Sequence, residues 1–462
     1  MEPQIGIADA RDISSHGSEM QKFVDAMQKE LTAEDIDTNI EGCIGCGNCG
    51  HACNWYMSTD DPDLHPKTKS DIVRKIYKYY LSPAGKLPGK LNLKEKPTIK
   101  DLEKLSDLSW KCTMCGRCAL SCMQGVSNRR LSWIGRSALS AAGIGPKPIH
   151  VLKENSRIYG HAAACDYENS MGKIVTLSKE EGLEVPVDVE GADYLWVCAA
   201  LGNTKIVDKS PAVVKILNYL GIKYTISSKI IDTGLEVHQI ACDRTLGPQL
   251  MKAVEDEAKR LKVKAILMPE CPCDMRTYFV EAERWLGRPF DVEVDQLDLL
   301  VLDYAKQGKL PLEKLDKKVT LHDPCWSVRL TGYVEEPREL LKMCVTDFVE
   351  MTPNREYNYC CNGGAGTMKL YPPDEEIANR SLRRQVSEIK YKQIEATNAE
   401  MVAIPCAACF LSIRDTLKHY ESDVEPEVMI DIVSQSMEAA LKKKGKSEMD
   451  KMKLPWNMKK KE

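Results

Sequence analysis

The sequence predicts two tandem, related α/β lobes with parallel-type sheets in its carboxyl-terminal part, preceded by a mainly helical amino-terminal domain. From about residue 190 onwards, short apolar runs alternate with amphipathic helical patterns, which is typical of parallel α/β construction. The segments 265–279 and 401–415 resemble each other, because each joins an apolar run, a proline, a pair of close cysteines and a helical pattern. Before residue 165, cysteine-rich loops flank helical patterns instead.

These patterns divide the chain into four parts. The predicted boundaries are 1–165 for the helical domain, 190–310 and 315–440 for the two lobes, and 441–462 for a basic tail. The predicted strands are Ala192–Val197, Lys264–Met268, Lys318–Leu321 and Met401–Ile404. The predicted helices include Met20–Leu31, Asp71–Leu81, Pro248–Lys262 and Ser381–Glu395.

The cysteine content is the outlying feature of the composition, with 19 cysteines in 462 residues. The sequence shows neither the apolar core of a signal peptide nor a run of about 18 uncharged apolar residues, so we expect a cytoplasmic protein with no transmembrane span of its own. In a reducing compartment, many thiols indicate metal or redox chemistry rather than disulfides. A net charge of −4 and 6% aromatic residues argue against nucleic acid binding.

The last segment, 441–462, carries nine lysines against three acidic residues. One interpretation of this composition is a solvated tail. The other is a docking segment for an anionic membrane surface or an acidic partner, with the lysines placed around Trp456 and Met458.

Two cysteine runs, at 43–53 and 112–122, share the spacing C-x2-C-x2-C-x3-C. This spacing is typical of bacterial ferredoxins with two cubane 4Fe–4S clusters, in which the fourth cysteine of each run ligates the other cluster. The usual proline after the fourth cysteine is absent and residues 54–111 separate the runs, so we expect a helical relative of ferredoxin. The predicted ligands are Cys43, Cys46, Cys49 and Cys122 for one cluster, and Cys112, Cys115, Cys118 and Cys53 for the other.

The second lobe contains five further cysteines in loops, namely Cys325, Cys360, Cys361, Cys406 and Cys409. Ligands of parallel sheets bind outside the carboxyl ends of the strands, so we expect these thiols to converge there. Five thiolates exceed the four ligands of a cubane cluster. A vicinal disulfide, a zinc site and a set of structural thiols remain as alternatives.

The pattern of these five cysteines is similar to that of the CCG-domain proteins, which include the catalytic subunits of heterodisulfide reductases. With its two ferredoxin-type runs and two lobes, the chain resembles the fused form of that enzyme from about residue 40 to 435. The stretches E-E-P-R at 335–338 and Y-C-C-N-G-G-A-G at 359–366 look most like the K subunit of the sulfite-reduction-associated membrane complex. Asn362 stands where the family usually has the glycine of its CCG, and asparagine can adopt a positive φ.

The resemblance implies that the five cysteines bind a non-cubane 4Fe–4S cluster, at which a substrate disulfide is reductively cleaved. It also implies a haem b membrane subunit that oxidises a quinol, and a small cysteine-bearing substrate protein, the C protein of sulfite reduction, that carries a disulfide or trisulfide. The chain would then lie on the inner face of the cytoplasmic membrane through its partner subunits. The chain has no G-x-G-x-x-G after a predicted strand and no G-x4-G-K-S/T, so we expect no nucleotide site of its own.

Two other functions remain open at this stage. One is an electron-transfer-only iron–sulfur subunit, as in glycolate and glycerol-3-phosphate dehydrogenases, which also carry ferredoxin runs and CCG lobes. The other is a zinc-holding interaction scaffold.

The first lobe departs from the five-cysteine pattern. Its cysteines are Cys198, a single Cys242 where a pair is expected, and Cys271 and Cys273 in a C-P-C sequence. We therefore expect a degenerate lobe whose thiols are free or line the substrate cleft, with a cubane cluster or zinc as alternatives. In the second lobe, His322 or Arg329 could serve near the leaving thiolate, and the alternative role for His322 is that of a hydrogen-bonding loop residue.

Overall fold

The computed structural model describes residues 18–86, 95–269, 271–368 and 376–458. Within them, a helical amino-terminal domain precedes two α/β lobes, each with a four-stranded sheet, as the sequence predicts. The sequence of residues 82–97 is rich in lysine, proline and glycine, which predicts a loop, and residues 87–94 of it lie outside the described residues.

The amino-terminal domain packs its helices around an apolar core. Phe23, Val24 and Met27 lie on one face of the first helix and are buried, in agreement with the predicted periodicity. The predicted helix at 71–81 begins five residues earlier, because Pro66 suits a first helical position and the His65 ring accepts the Lys67 N–H. The helices are α1 Glu19–Glu30, α2 Asn54–Met57, α3 Pro66–Tyr80, α4 Ile99–Trp110, α5 Arg117–Leu120, α6 Asn128–Ala142 and α7 Lys147–Tyr159.

The two lobes follow in chain order. The first contains α8 Met171–Glu180, β1 Tyr194–Trp196, α9 Ser210–Leu220, β2 Tyr224–Thr225, α10 Leu246–Arg260, β3 Ala265–Met268, α11 Pro272–Met275, α12 Ala282–Leu286, β4 Glu293–Gln296 and α13 Leu297–Lys306. The second contains β5 Leu315–Leu321, α14 Glu336–Cys344, β6 Val345–Val349, α15 Glu376–Glu395, β7 Met401–Ile404, α16 Ala407–His419, β8 Glu425–Val428, α17 Met429–Lys444 and α18 Lys446–Asp450.

The two sheets have the same topology. Their strand orders are β2-β1-β3-β4 and β6-β5-β7-β8, and all pairings are parallel. The four predicted strands are β1, β3, β5 and β7, the central strands of each sheet. The four outer strands were not predicted. Strand β2 has only two residues, and β4, β6 and β8 carry exposed polar side chains that interrupt any apolar run.

The lobes pack against each other in a reciprocal manner. The last helix of the first lobe, α13, contacts the first helix of the second, α14, and α17 of the second lobe likewise contacts α9 of the first. The Lys209 ammonium before α9 lies 2.8 Å from both the Glu427 and the Asp431 carboxylates. This arrangement brings the loops at the carboxyl ends of both sheets to one cavity between the lobes.

The segment after α17 lies on the first lobe. The indole of Trp456 donates a hydrogen bond to the Tyr224 carbonyl at 2.8 Å, and the Asn218 amide donates one to the Met452 carbonyl at 3.0 Å. Met452 is buried, so the solvated-tail interpretation is wrong for residues 445–458. Apolar residues between the lysines cover the lobe, a feature that composition alone does not reveal. Residues 459–462 of the predicted tail lie outside the described residues.

Within the described part of the chain, no helix has the length and apolar character required to cross a membrane.

Candidate metal centres

The first predicted ligand set lies near the protein surface. The thiols of Cys43 and Cys122 lie close to Cys49, whose pKa is raised by burial and further by these two neighbours. Cys46 is exposed. The structure therefore brings the last cysteine of the second run to the first run, as the exchanged ligand pattern requires.

The second predicted set is half-buried. Burial raises the pKa of the Cys53 thiol to about 11; Lys69 opposes this rise, and the Cys112 and Cys115 thiols add to it. Burial, and then the Cys115, Cys112 and Cys53 thiols, hold the pKa of Cys118 well above its ordinary value. The four thiols line one cavity together with Cys360 of the second lobe. Four convergent thiols are the donor set that a cubane iron–sulfur cluster uses, so these residues fit that group.

The five cysteines of the second lobe come together at the carboxyl end of its sheet. Cys325 follows β5, Cys360 and Cys361 precede α15, and Cys406 and Cys409 begin α16. The Cys325 and Cys360 sulfurs are 3.9 Å apart, and those of Cys361 and Cys409 are 3.2 Å apart. All five are at most 6% exposed. The expected convergence is therefore present in the structure.

Three of these thiols, Cys360, Cys361 and Cys406, are shifted towards the thiolate form, which is the form that binds metals. Hydrogen bonds that join Cys361 to Cys360 and to Cys409 hold the pKa of Cys361 well below its ordinary value despite burial. The Cys271 and Cys409 thiols do the same for the pKa of Cys406, which also accepts the Cys409 backbone N–H at the start of α16. Thiolates at this density need a bound cation or cluster to balance their charge.

His322 lies beside this group. One ligand atom from each of His322, Cys361 and Cys409 lies within 4.8 Å of the other two. The ring is fully buried, and neither ring nitrogen has a hydrogen-bond partner among the described residues, so the interpretation of its side chain as a hydrogen-bonding loop residue does not hold. Burial, and then the charge of Lys390, hold the pKa of His322 well below its ordinary value, so the imidazole is neutral. Unpartnered buried nitrogens next to five thiols fit an iron–sulfur group at this position.

Lys390 is a buried cation that the sequence did not single out. Its ammonium donates a hydrogen bond to the Asn358 side chain at 2.6 Å and another to Gln393. Burial lowers the pKa of Lys390 to about 8, although Asp323 and the nearby thiols oppose this. Lys390 stands four residues after Val386 and four before Ile394 on the buried face of α15, and that periodicity is the signal that would have marked it.

The E-E-P-R stretch holds the loop that carries Cys325. Arg338 is 1% exposed and pairs with both oxygens of Asp323 at 2.7 and 2.8 Å. It also binds the Glu350 carboxylate, and Glu335 binds Arg355. Because Asp323 lies two residues before Cys325, this buried ion pair positions the first thiol of the site.

Asn362 occupies the position of the family glycine with φ 60°, which confirms the expected positive φ. Its side chain donates to the Val386 carbonyl at 3.2 Å and accepts a bond from the Asn54 amide at 3.4 Å. The next residue has no room for a side chain, since a Cβ on Gly363 would lie 2.4 Å from the Ser412 Cβ. The loop after the paired cysteines is thus pressed against α16.

The second ferredoxin-type set, which contains Cys53 and Cys115, adjoins the five-cysteine site. The Cys115 thiol interacts directly with Cys360, and the Cys360 sulfur lies 3.5 Å from the Thr113 hydroxyl. Arg329 donates to the carbonyls of Cys115, Glu356 and Asn358, so it joins the two sites through the backbone. Its charge also opposes the rise in the pKa of Cys325. Arg136, also buried, donates to the carbonyls of Cys112 and Ala365.

The cysteines of the first lobe do not form a matching group in the described part of the chain. The surroundings that shift the pKa of Cys198 are burial, Asp274 and Asp232, and those that shift the pKa of Cys242 are burial, Arg136 and other charged groups. Only Cys271 and Cys273 contact each other, and Cys271 also contacts Cys406 across the lobe boundary.

Comparisons with known proteins agree with this geometry. The family described as 4Fe-4S dicluster domain matches residues 39–126, and the family described as Cysteine-rich domain, CCG, matches residues 319–414. The chain is 29% identical to the D subunit of the dihydromethanophenazine:CoB–CoM heterodisulfide reductase of Methanosarcina acetivorans over 424 residues, which cover 88% of this chain and 96% of the relative.

Two further relatives match most of the chain. The Hdr-like menaquinol oxidoreductase iron-sulfur subunit 2 of Archaeoglobus fulgidus is 22% identical, covering 90% of this chain and 83% of the relative. The glycolate oxidase iron-sulfur subunit of Escherichia coli is 23% identical, covering 90% and 99%. The predicted fold class is confirmed, and the relatives bear out the prediction of an oxidoreductase of the heterodisulfide reductase type.

Proposed function

We propose that this chain, a CCG-domain iron–sulfur protein similar to the D subunit of heterodisulfide reductase, is the subunit of a membrane-associated quinol-oxidising complex that cleaves a sulfur–sulfur bond. The observation that carries the proposal is the group of five buried cysteines and the neutral His322, in direct contact with a ferredoxin-type set through Cys115. A cubane cluster needs four ligands, whereas this site offers five thiols and lies at the end of the series of cluster sites. This supports catalysis at the site rather than electron transfer alone.

The positions of the three thiol sets support one direction of electron flow. The set containing Cys46 includes an exposed thiol, the set containing Cys53 is half-buried, and the buried five-cysteine site adjoins the latter. Ile44 and Met123, each beside a thiol of the surface set, are 67% and 80% exposed and offer an apolar contact surface. We infer that a membrane partner with haem b binds there and places this chain on the cytoplasmic side of the membrane; the menaquinol oxidoreductase relative supports such a partner.

A non-cubane 4Fe–4S cluster, when bound, would supply single electrons to a disulfide. Cys325, Cys360, Cys361, Cys406 and Cys409 would hold it. The neutral His322 can offer a ring N–H to a developing thiolate without adding charge, and the burial of the site excludes water from it. Lys390 balances the negative charge of the thiolates from behind the loop.

For the substrate, we propose a disulfide or trisulfide on a small cysteine-bearing protein, the C protein of sulfite reduction. The E-E-P-R and Y-C-C-N-G-G-A-G stretches support this choice, because they resemble the K subunit of the complex that acts in that process. The structure adds roles for both stretches: Arg338 holds the Cys325 loop, and Asn362 holds the loop of the paired cysteines.

A second candidate function is electron transfer alone, as an iron–sulfur subunit of a membrane-associated dehydrogenase. The similarity to the glycolate oxidase iron-sulfur subunit over 90% of this chain favours it. In that case the five-cysteine site would hold a cluster that reacts with no sulfur compound.

Electron paramagnetic resonance of the full-length protein, purified without oxygen and then oxidised, separates the two functions. With added 2-mercaptoethanol or the small substrate protein, disulfide cleavage predicts a changed signal from the five-cysteine site, and the dithionite-reduced protein should release thiols from the disulfide. If the signal does not change when thiols are added and no thiol is released, electron transfer without disulfide cleavage would be the function.

The role of His322 can be tested on the same protein. His322→Ala should lower disulfide turnover by about 10- to 100-fold with unchanged iron content, because substitutions of residues that support a metal site have effects of that size. His419→Ala is the matched control, because His419 is an exposed histidine of the same lobe. Unchanged turnover in His322→Ala would remove this residue from the mechanism.

A further inference from the structure

We propose that Cys271 and Cys273 form a redox-active dithiol, which exchanges with a substrate disulfide in the cavity between the lobes and is reduced again through the second-lobe site. The inference rests on the proposed function, because the electrons that restore the dithiol come through that site. It assigns a chemical role to the C-P-C sequence of the first lobe.

The C-P-C sequence places its two thiols together at the carboxyl end of β3. Pro272 opens the short helix α11 directly after Cys271, which is the backbone position that proline favours. The Cys271 and Cys273 thiols interact with each other and line the same cavity, so the pair is placed for disulfide formation. Cys271 is 7% exposed, whereas Cys273 is only half-buried.

The dithiol touches the five-cysteine site from the other lobe. The Cys271 thiol contacts the Cys406 sulfur, and Cys273 lies near both Cys406 and Cys361. Cys198 lines the same cavity as the pair, but the groups that shift its pKa are burial, Asp274 and Asp232, and no contact with either thiol is among them. Cys242 lies among Arg136 and other charged groups. The pair is therefore placed to accept electrons from the second lobe.

Both thiols line a cavity of about 310 Å³ between the lobes. Its walls include Trp196, Leu235 and Leu411, and the glycine-rich loop 363–366 forms part of the same lining. A cavity of this size takes a small organic molecule or a few residues of a peptide. The apolar walls favour a disulfide flanked by uncharged groups, since charged groups would lose their hydration there.

The chemistry balances in three steps. The Cys273 thiolate attacks one sulfur of the substrate, the substrate sulfur–sulfur bond breaks, and the first product leaves as a thiolate that takes up a proton. Cys271 then attacks the Cys273 sulfur, which forms the Cys271–Cys273 disulfide and releases the second product thiol. Two electrons from the partner, delivered singly through the cluster sites, and two protons restore the dithiol.

Trapping of the mixed disulfide tests this sequence. The full-length, cluster-loaded Cys271→Ser protein is incubated with dibutyl disulfide or, for comparison, with the charged disulfide of glutathione, and its mass is measured without reductant. We expect a butanethiol adduct on Cys273, less adduct with glutathione disulfide, and no cavity adduct in Cys273→Ser. Cys165→Ser is the matched control, because Cys165 is a half-buried thiol outside the cavity lining. Iron content and the paramagnetic signals report whether each variant has folded.

The turnover of the same variants completes the test. Each single variant should lower the rate of disulfide reduction by about tenfold or more, as loss of an exchanging thiol predicts. No adduct on Cys273, or wild-type turnover in the Cys271→Ser/Cys273→Ser double variant, would overturn the dithiol while leaving the proposed function intact. Conversely, a Cys271–Cys273 disulfide formed by excess dibutyl disulfide in a wild-type protein that shows no reductive turnover would support the dithiol and refute the proposed function.

Discussion

The two lobes share one topology but differ in what lies at the carboxyl ends of their strands. Both sheets have the same strand order, and in both a cysteine follows each of the two central strands. In the second lobe five thiols meet, whereas in the first lobe Cys242 stands alone next to Arg136 of the helical domain. The C-P-C pair is turned towards the other lobe.

This difference shows that the shared sheet topology determines where the cysteine loops lie, and that the cysteines in those loops determine whether a cluster can bind. A cluster needs several thiols at one point, so losing one member of the cysteine pair leaves the remaining thiols without a common centre. In our proposal, Cys271 and Cys273 of the first lobe then exchange with a substrate disulfide and are reduced through the second lobe. Variants that affect one lobe and spare the other test this comparison.

The largest effect is expected for the paired cysteines. Cys361→Ser should lower the iron content from about 12 to about 8 atoms per chain and abolish the thiol-sensitive signal, because one of three clusters is lost. Iron analysis and electron paramagnetic resonance measure both changes. Cys242→Ser, the counterpart in the first lobe, should retain about 12 iron atoms. A loss of iron in that variant would show that the first lobe also binds metal.

The next effect concerns the ion pair beneath the Cys325 loop. Arg338→Met leaves the Asp323 carboxylate buried without its partner, which should lower the free energy of unfolding by about 3–5 kcal/mol. The measurement is the denaturant midpoint of the oxygen-free protein. Lys262→Met is the control in the first lobe, because Lys262 and its partner Glu190 are both exposed and their pair adds little. Equal midpoints for the two variants would contradict the positioning role of Arg338.

A smaller, pH-dependent effect is expected at Asp298 on α13, which accepts a hydrogen bond from Tyr333 of the second lobe at 3.2 Å. Burial raises the pKa of Asp298 to about 7. Between about pH 4 and 7 the unfolded chain has lost a proton that the folded protein keeps, so stability falls as the pH rises through this range.

Asp298→Asn should remove that part of the pH dependence and raise the Tm above that of the wild type at pH 8. Asp303→Asn, at an exposed position of the same helix, should keep the wild-type profile. A wild-type profile in Asp298→Asn would show that the carboxyl group is ionised in the folded protein.

The smallest effect is expected for Asn362→Gly, which restores the family glycine. Glycine suits φ 60° without strain, but the bonds to Val386 and Asn54 are lost, so the free energy of unfolding should fall by about 1 kcal/mol. The denaturant midpoint measures this change, and iron content should remain that of the wild type. A more stable Asn362→Gly protein would mean that these bonds contribute less than the backbone strain costs.

The sequence predicted the parts of the fold whose signals are local. The central strands β3 and β7 lie within one residue of their predicted ends, because buried parallel strands are apolar without interruption. The outer strand β4 was missed because its side chains face solvent and show no apolar run. The packing of the last segment on the first lobe was not predicted, since its lysines dominate the composition while Met452 and Trp456 make the contacts.

By itself, the sequence determined the two ferredoxin-type runs, the five candidate thiols and the kinship of the two lobes, because spacing and repetition are properties of the chain alone. Only the tertiary structure decided that Cys271 meets Cys406, that Arg329 joins two sites through the backbone, and that His322 and Lys390 are buried. The physical reason is that contact and burial are set by segments far apart in the chain, and burial in turn decides whether a histidine or lysine is charged.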